Sequence, residues 1–170
     1  MSNKYKPHVS AAIQRLGYVS AEAIDVIAEL LWESQGMHPH AVARLFRSKG
    51  RLLDKAELRA VGLRANTIMS HEAMATLTDK GREKPIAALD GIFLDAAFNF
   101  IRQRGVERFQ EAGYDTFKVD AVAPDCPACK RLHGLEVNGA YIQHLPPKDC
   151  SRDGCMAMLA GHIDFYAGLT

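Results

Sequence analysis

Long apolar runs are missing from this sequence. Hydrophobic residues make up 48% of it, yet no stretch approaches the roughly 20 consecutive apolar residues that a bilayer-spanning helix needs. A membrane is therefore not an expected partner. The opening Met1–Pro7 is polar and no apolar signal core follows it, so a cytoplasmic protein is expected. An excess of one charge is also lacking: 21 Lys and Arg face 20 Asp and Glu, a net charge of +1. No global field draws such a chain to nucleic acid or lipid. Phosphate-cradling glycine loops are absent, both G-x-x-x-x-G-K-[ST] and G-x-G-x-x-G. So is the G-x-S-x-G elbow of serine hydrolases. Cysteine is scarce, with four in the whole chain, all from Cys126 onward. In a reducing compartment that clustering favours metal over disulfides.

At 170 residues the chain suffices for one domain, or for one domain and a small appended module. Helical signals fill its first two thirds. Ser20 reads as an N-cap, with Ala21 to Gln35 helical, Ile24, Ile27, Ala28 and Leu31 on the apolar stripe, and Gly36 as the stop. Pro39 suits the first turn of a helix running to about Phe46. Asp54 with Glu57 three residues on predicts a capping box and a short helix to about Val61. A further helix is expected from about Asn66 to Thr78, broken by Asp79-Lys80-Gly81. Pro85 opens the longest, to Glu111, with Leu89, Ile92, Phe93, Ala96, Phe100 and Val106 on its core face and Gly113 as the C′ residue. From Tyr114 the texture changes. Phe117, Val119 and Val122 predict a strand, and Met158, Leu159, Ile163, Phe165 and Tyr166 a terminal helix or strand. The fold class read from this is mainly α: a helical body over residues 1–113 and a small α+β zinc-knuckle module over 114–170.

The cysteines carry the chemistry. Cys126-Pro-Ala-Cys129 is followed after twenty residues by Cys150-Ser-Arg-Asp-Gly-Cys155. Zinc takes a tetrahedron of thiolates at about 2.3 Å, and a two-residue gap lets one tight turn present two sulfurs to the ion. The second pair makes a looser knuckle, with Gly154 available for a positive φ. The segment between the pairs has the length for a β-hairpin about Asn138-Gly139. A structural Zn²⁺ held by Cys126, Cys129, Cys150 and Cys155 is the favoured reading. Three rivals stay open. Asp125 to Lys130 resembles a thioredoxin-like redox motif, although little chain follows it. Zinc could be catalytic, with His133 or His144 replacing a cysteine ligand, but four thiolates leave no open position. An iron–sulfur cluster also takes four cysteines.

Residues 105–158 resemble the carboxy-terminal module of the phage Mu protein F-like family of minor head and head-morphogenesis proteins. The resemblance is carried by Gln110-Glu111-Ala112-Gly113, Phe117-Lys118-Val119, Cys126-Pro127-Ala128-Cys129, Leu132-His133-Gly134, Pro146-Pro147 and Cys150. The family usually ends in Cys-Arg-Cys, where this chain has Cys150-Ser-Arg-Asp-Gly-Cys155. The resemblance implies a bacterial, prophage-encoded assembly protein.

Other constellations read as ordinary surface. Glu22, Asp25, Glu29 and Glu33 form a carboxylate row that lacks the Glu-x-x-His pairs of di-metal bundles. Ser70-His71-Glu72 places three catalytic residue types side by side, but adjacent helix residues diverge. The seven basic residues Arg44, Arg47, Lys49, Arg51, Lys55, Arg59 and Arg64 could meet phosphates. The acidic row next to them in sequence argues against DNA binding by that stretch at physiological salt. The expected function is a non-enzymatic, zinc-stabilised binding or assembly protein with a protein partner. The alternatives are nucleic-acid binding through residues 44–64 and an enzyme with an unlocated site on the helical body.

Overall fold

The computed structural model describes residues 3–121 and 126–162. The chain divides into two compact units, Met1–Ala97 and Phe98–Thr170.

Unit one is helical. Its helices are α1 (Lys6–Leu16), a 3₁₀ turn (Ala21–Ala23) continuing into α2 (Ile24–Glu33), α3 (Pro39–Ser48), α4 (Lys55–Ala60), α5 (His71–Ala75) and α6 (Asp79–Arg82). The first thirteen residues of α7 (Pro85–Glu111) complete it. The α1 helix was not read from sequence. Its signals were present: Pro7 in the first turn, buried Val9, Ala12, Ile13 and Leu16 at helical spacing, and Gly17 closing it at φ 68°. The core draws on these and on Ile27, Leu31, Val42, Phe46, Leu89, Ile92 and Phe93, with the Phe46 and Phe93 rings 5.5 Å apart. The capping box at α4 forms as expected, Asp54 accepting from the Ala56 and Glu57 N–H groups while Glu57 accepts from that of Asp54. The single helix expected over 66–78 does not form. Residues 66–69 are not helical, Ser70 caps α5, and Thr78 caps α6 across the Asp-Lys-Gly sequence read as a breaker. The Thr78 hydroxyl accepting from the Gly81 N–H caps the turn and outweighs the poor helix propensity of Gly81 itself.

Unit two joins the rest of α7 to a three-stranded antiparallel sheet of order β2-β1-β3. The strands are β1 (Thr116–Asp120), β2 (Glu136–Asn138) and β3 (Met158–Gly161), with α8 (Pro127–Leu132) between β1 and β2 and a 3₁₀ helix (Gly139–His144) after β2. Phe117 faces Val137 on one side and Gly161 on the other. Gly113 takes φ 87° after α7, as expected. No hairpin turns at Asn138-Gly139: Asn138 ends β2 opposite Thr116, and Gly139 opens the 3₁₀ helix. Gly139 serves close approach instead, because a Cβ there would lie 2.4 Å from the Gln110 amide and 2.7 Å from Asp115. Of the expected apolar positions, Val122, Ile163, Phe165 and Tyr166 lie outside the described residues.

The mainly-α reading holds, with a small antiparallel sheet in the second unit. The two compact units divide inside α7, between Ala97 and Phe98. Val106 is part of the apolar cluster of the cysteine unit, and Phe109 packs against it. A long helix invites a boundary at its end, whereas side-chain packing puts this one within it.

Candidate metal centre

Cys126 sits at the N-cap of α8 with extended backbone (φ −100°, ψ 110°). Pro127 follows at the first helical position, where a missing N–H costs nothing. The Lys130 N–H donates to the Cys126 carbonyl and the His133 N–H to that of Cys129, closing the turn that holds both thiols on one side. Gly134 then reverses the chain at φ 81°, donating to the Val119 carbonyl, while Val119 donates to that of Leu135. Those two bonds stitch the C-terminal flank of the knuckle to β1.

The second pair arrives from the far end of the unit. The Cys150 N–H donates to the Pro147 carbonyl. Gly154, available for a positive φ, is not among the glycines that adopt one. The Sγ atoms of Cys126, Cys129 and Cys150 all lie within 4.8 Å of one another. Cys126 and Cys150 are 3.9 Å apart, and no disulfide links any of the four. A disulfide would bring two sulfurs to about 2.05 Å. Ligands of one zinc, tetrahedral at about 2.3 Å, stand about 3.8 Å apart. The observed spacing fits a shared ion. Cys155 is fully buried, and a charge on it would raise the pKa of both Cys129 and Cys150. These cysteines sit together and could hold a metal ion.

The thiols perturb one another in opposite directions. Burial pushes Cys126 up, but N–H groups of Cys129 and Ser151 and the side chains of those two residues donate to its sulfur and bring it down to about 6. Cys129 is pushed up, first by burial and then because its thiol donates to Cys126 and faces the charges of Cys155 and Cys150. Cys150 also moves up, chiefly by burial and by Cys155, against a lowering contact from the Arg152 backbone. A cation at the centre would reverse this competition, since it holds all the sulfurs as thiolates and releases their protons.

Neither histidine of the intervening segment belongs to this group. His133 is exposed, and its Nδ1 accepts from the Ala121 N–H at 3.2 Å. His144 lies against Tyr141, ring centroids 5.2 Å apart. The redox-fold alternative gains no parallel strand, as every pairing among the described residues is antiparallel.

One supporting residue escaped the sequence reading. Arg102, on the core side of α7, is 1% exposed. Its Nη1 donates to the carbonyls of Cys155 (3.2 Å) and Ala157 (2.5 Å), and its Nη2 to the Asn99 side chain. The guanidinium thus grips the backbone on both sides of the residue after Cys155. A charge among apolar residues at helical spacing was its only sequence signal. Phe100, expected in the core, is half-buried instead.

No family model matches the chain, and no curated protein or solved structure does either.

The remaining candidates disperse. Glu22, Asp25, Glu29 and Glu33 are exposed, and Asp25 pairs with Lys6 at 2.7 Å. Ser70 caps Ala73, His71 bridges Glu57 and Arg51, and Glu72 accepts from the Arg51 N–H, so the three do not converge. Two of the seven cations of residues 44–64 are engaged within the fold: Arg47 is buried against Asp90, and Arg51 pairs with Glu57 at 3.5 Å. Arg47→Ala is therefore expected to lower stability, by about 2–3 kcal/mol once partial exposure of Asp90 is allowed for. Denaturant titration checks this, and an unchanged midpoint would show the pair to be idle. Among the described residues no helix is long and apolar enough to cross a membrane.

Proposed function

We propose that Cys126, Cys129, Cys150 and Cys155 hold one structural Zn²⁺, and that the chain is a non-enzymatic, metal-stabilised binding or assembly protein. The observation that carries this reading is the cluster of the Cys126, Cys129 and Cys150 sulfurs, spaced for a common ion, with buried Cys155 acting on the charges of two of them. Four thiolates fill a tetrahedron and leave no position for water or substrate, so the metal's role is to link. What it would link has a small apolar cluster of its own, built on Val106, Phe117, Val119, Leu145 and Leu159. Cys126 and Cys150 are 24 positions apart, and the segment between the pairs buries Leu145 while Leu132, Val137, Tyr141 and Ile142 pack partly buried against the cluster. Likeness of residues 105–158 to phage head-morphogenesis modules supports the assembly side of the reading and a prophage origin.

Elemental analysis of protein purified without added metal is expected to give about one zinc per chain, with cobalt substitution producing a tetrahedral thiolate spectrum. Absence of zinc, or a visible iron–sulfur charge-transfer band, would overturn the assignment.

A further inference from the structure

The twenty residues between the cysteine pairs do more than connect them. With α8, the 3₁₀ helix and the Pro146–Asp149 segment, they enclose an open cavity of ≈ 430 Å³, within the size range of small-molecule and cofactor sites. Its walls combine three kinds of chemistry. Tyr141 and His144 supply aromatic rings, 5.2 Å apart and inclined at 55°, and Leu132 supplies an apolar flank. Gln143, exposed at the rim, supplies an amide that both donates and accepts. Arg131 and Lys148 supply positive charge. Arg131 is paired with Asp149, while Lys148 is exposed and has no ion pair among the described residues.

We propose that this cavity takes one nucleotide of a single-stranded nucleic acid, its base against Tyr141 and its phosphate on Lys148. A planar base is the ligand that uses all three features together. Its face stacks on an aromatic ring, its edge hydrogen-bonds to an amide, and its phosphate needs a cation nearby. A purely apolar ligand would leave Gln143 and Lys148 without a role. A simple anion would make no use of the rings. Duplex DNA is excluded as the occupant, because its bases are stacked on each other and cannot enter a cavity of this size. Every residue lining the site belongs to the second unit, and none comes from the basic stretch 44–64. The site does rest on the proposed metal linkage, because both walls end at cysteines: Arg131 and Leu132 follow Cys129, and Lys148 and Asp149 precede Cys150.

Fluorescence anisotropy with labelled twelve-nucleotide dT and rU strands tests the inference on the full chain, with a duplex of equal length as control. Zinc content is measured on every sample, so failure of the metal reading shows separately from failure of this one. The single strands are expected to bind and the duplex at least tenfold more weakly. Tyr141→Leu, which keeps apolar volume for packing, is expected to weaken strand binding about tenfold through lost stacking. Lys148→Gln should reduce the salt slope by about 0.7. Gln143→Ala, at an exposed position, should weaken binding without changing zinc content. Thymidine monophosphate as competitor distinguishes a free nucleotide from a strand, with a strand expected to compete at far lower concentration. Zinc-loaded protein that binds no strand, binds duplex equally well, or is indifferent to Tyr141→Leu and Lys148→Gln would overturn the proposal.

Discussion

Cys129→Ser is expected to abolish stoichiometric zinc binding and unfold the second unit, while most of the far-ultraviolet helical signal persists. Zinc bound by small cysteine modules contributes an apparent free energy of about 10–16 kcal/mol. A domain as a whole is stable by only about 5–15 kcal/mol. If the proposed ion joins the distant segments of this unit, its small apolar cluster has little with which to offset such a loss. The first unit should survive, because its core rests on helices that bury one another: Val9, Ile13, Ile27, Leu31, Phe46, Leu89 and Phe93 need no metal.

Limited proteolysis locates where order ends. If the metal supported only residues after Gly113, trypsin would begin at Lys118 and spare α7. Packing points elsewhere. Arg102 and Val106 are buried in the cysteine unit, and Phe109 lies 5.3 Å, ring to ring, from Phe117. Losing the sheet uncovers that half of the helix. Cleavage at Arg102, Arg104 and Arg108 is therefore expected in Cys129→Ser and in chelator-treated protein, and protection at all three in zinc-loaded protein. Mass spectrometry of the resistant fragment reads this directly. A fragment retaining Arg108 would move the boundary back towards Gly113. Cooperative loss of all helical signal would mean a single core with the metal site integral to it.

How much was legible beforehand varied with the kind of signal. Pairs of residues that act locally were readable: Asp54 with Glu57 gave a capping box, Pro39 a helix start, and Cys126 with Cys129 a turn presenting two thiols. Each involves a few neighbours and one geometry. The hairpin at Asn138-Gly139 failed for the opposite reason. That dipeptide is a strong local turn signal, but the partner of β2 is β1, some twenty residues earlier, and Gly139 is needed to admit Gln110 and Asp115. The division of α7 was likewise hidden. Its apolar positions continue past Ala97, and periodicity cannot tell which of two units each one faces. Residues 44–64 read as a mostly basic stretch, with only Asp54 and Glu57 opposing its seven cations, yet Arg47 meets Asp90, forty-three positions away. Long-range ion pairs leave no trace in a charge count.

Arg102 is the residue for which this matters most, and Arg102→Met is expected to weaken zinc binding about 10–100-fold, the usual effect of losing a residue that orients a metal ligand. The side chain is buried and charged, an arrangement that is unfavourable unless its donors are satisfied. Here its Nη1 reaches the carbonyls of Cys155 and Ala157 and its Nη2 reaches Asn99. Those contacts fix the backbone carrying Cys155, the proposed ligand furthest in sequence from the first knuckle. They also hold the entry to β3, since Ala157 immediately precedes Met158. Methionine fills similar volume and leaves the helix intact, so α7 should form as before. The carbonyls would lose a charged donor, each such hydrogen bond being worth about 1.5–3 kcal/mol. Arg102→Lys is expected to recover little, because one ammonium on a flexible stem cannot replace a planar fork that spans two carbonyls and a side chain. Competition with a chromogenic chelator at fixed pH gives the affinities, and far-ultraviolet dichroism reports the helix. Wild-type zinc affinity in Arg102→Met would show that Cys155 is placed by the loop alone. Full rescue by lysine would show that charge, and not the fork, holds it.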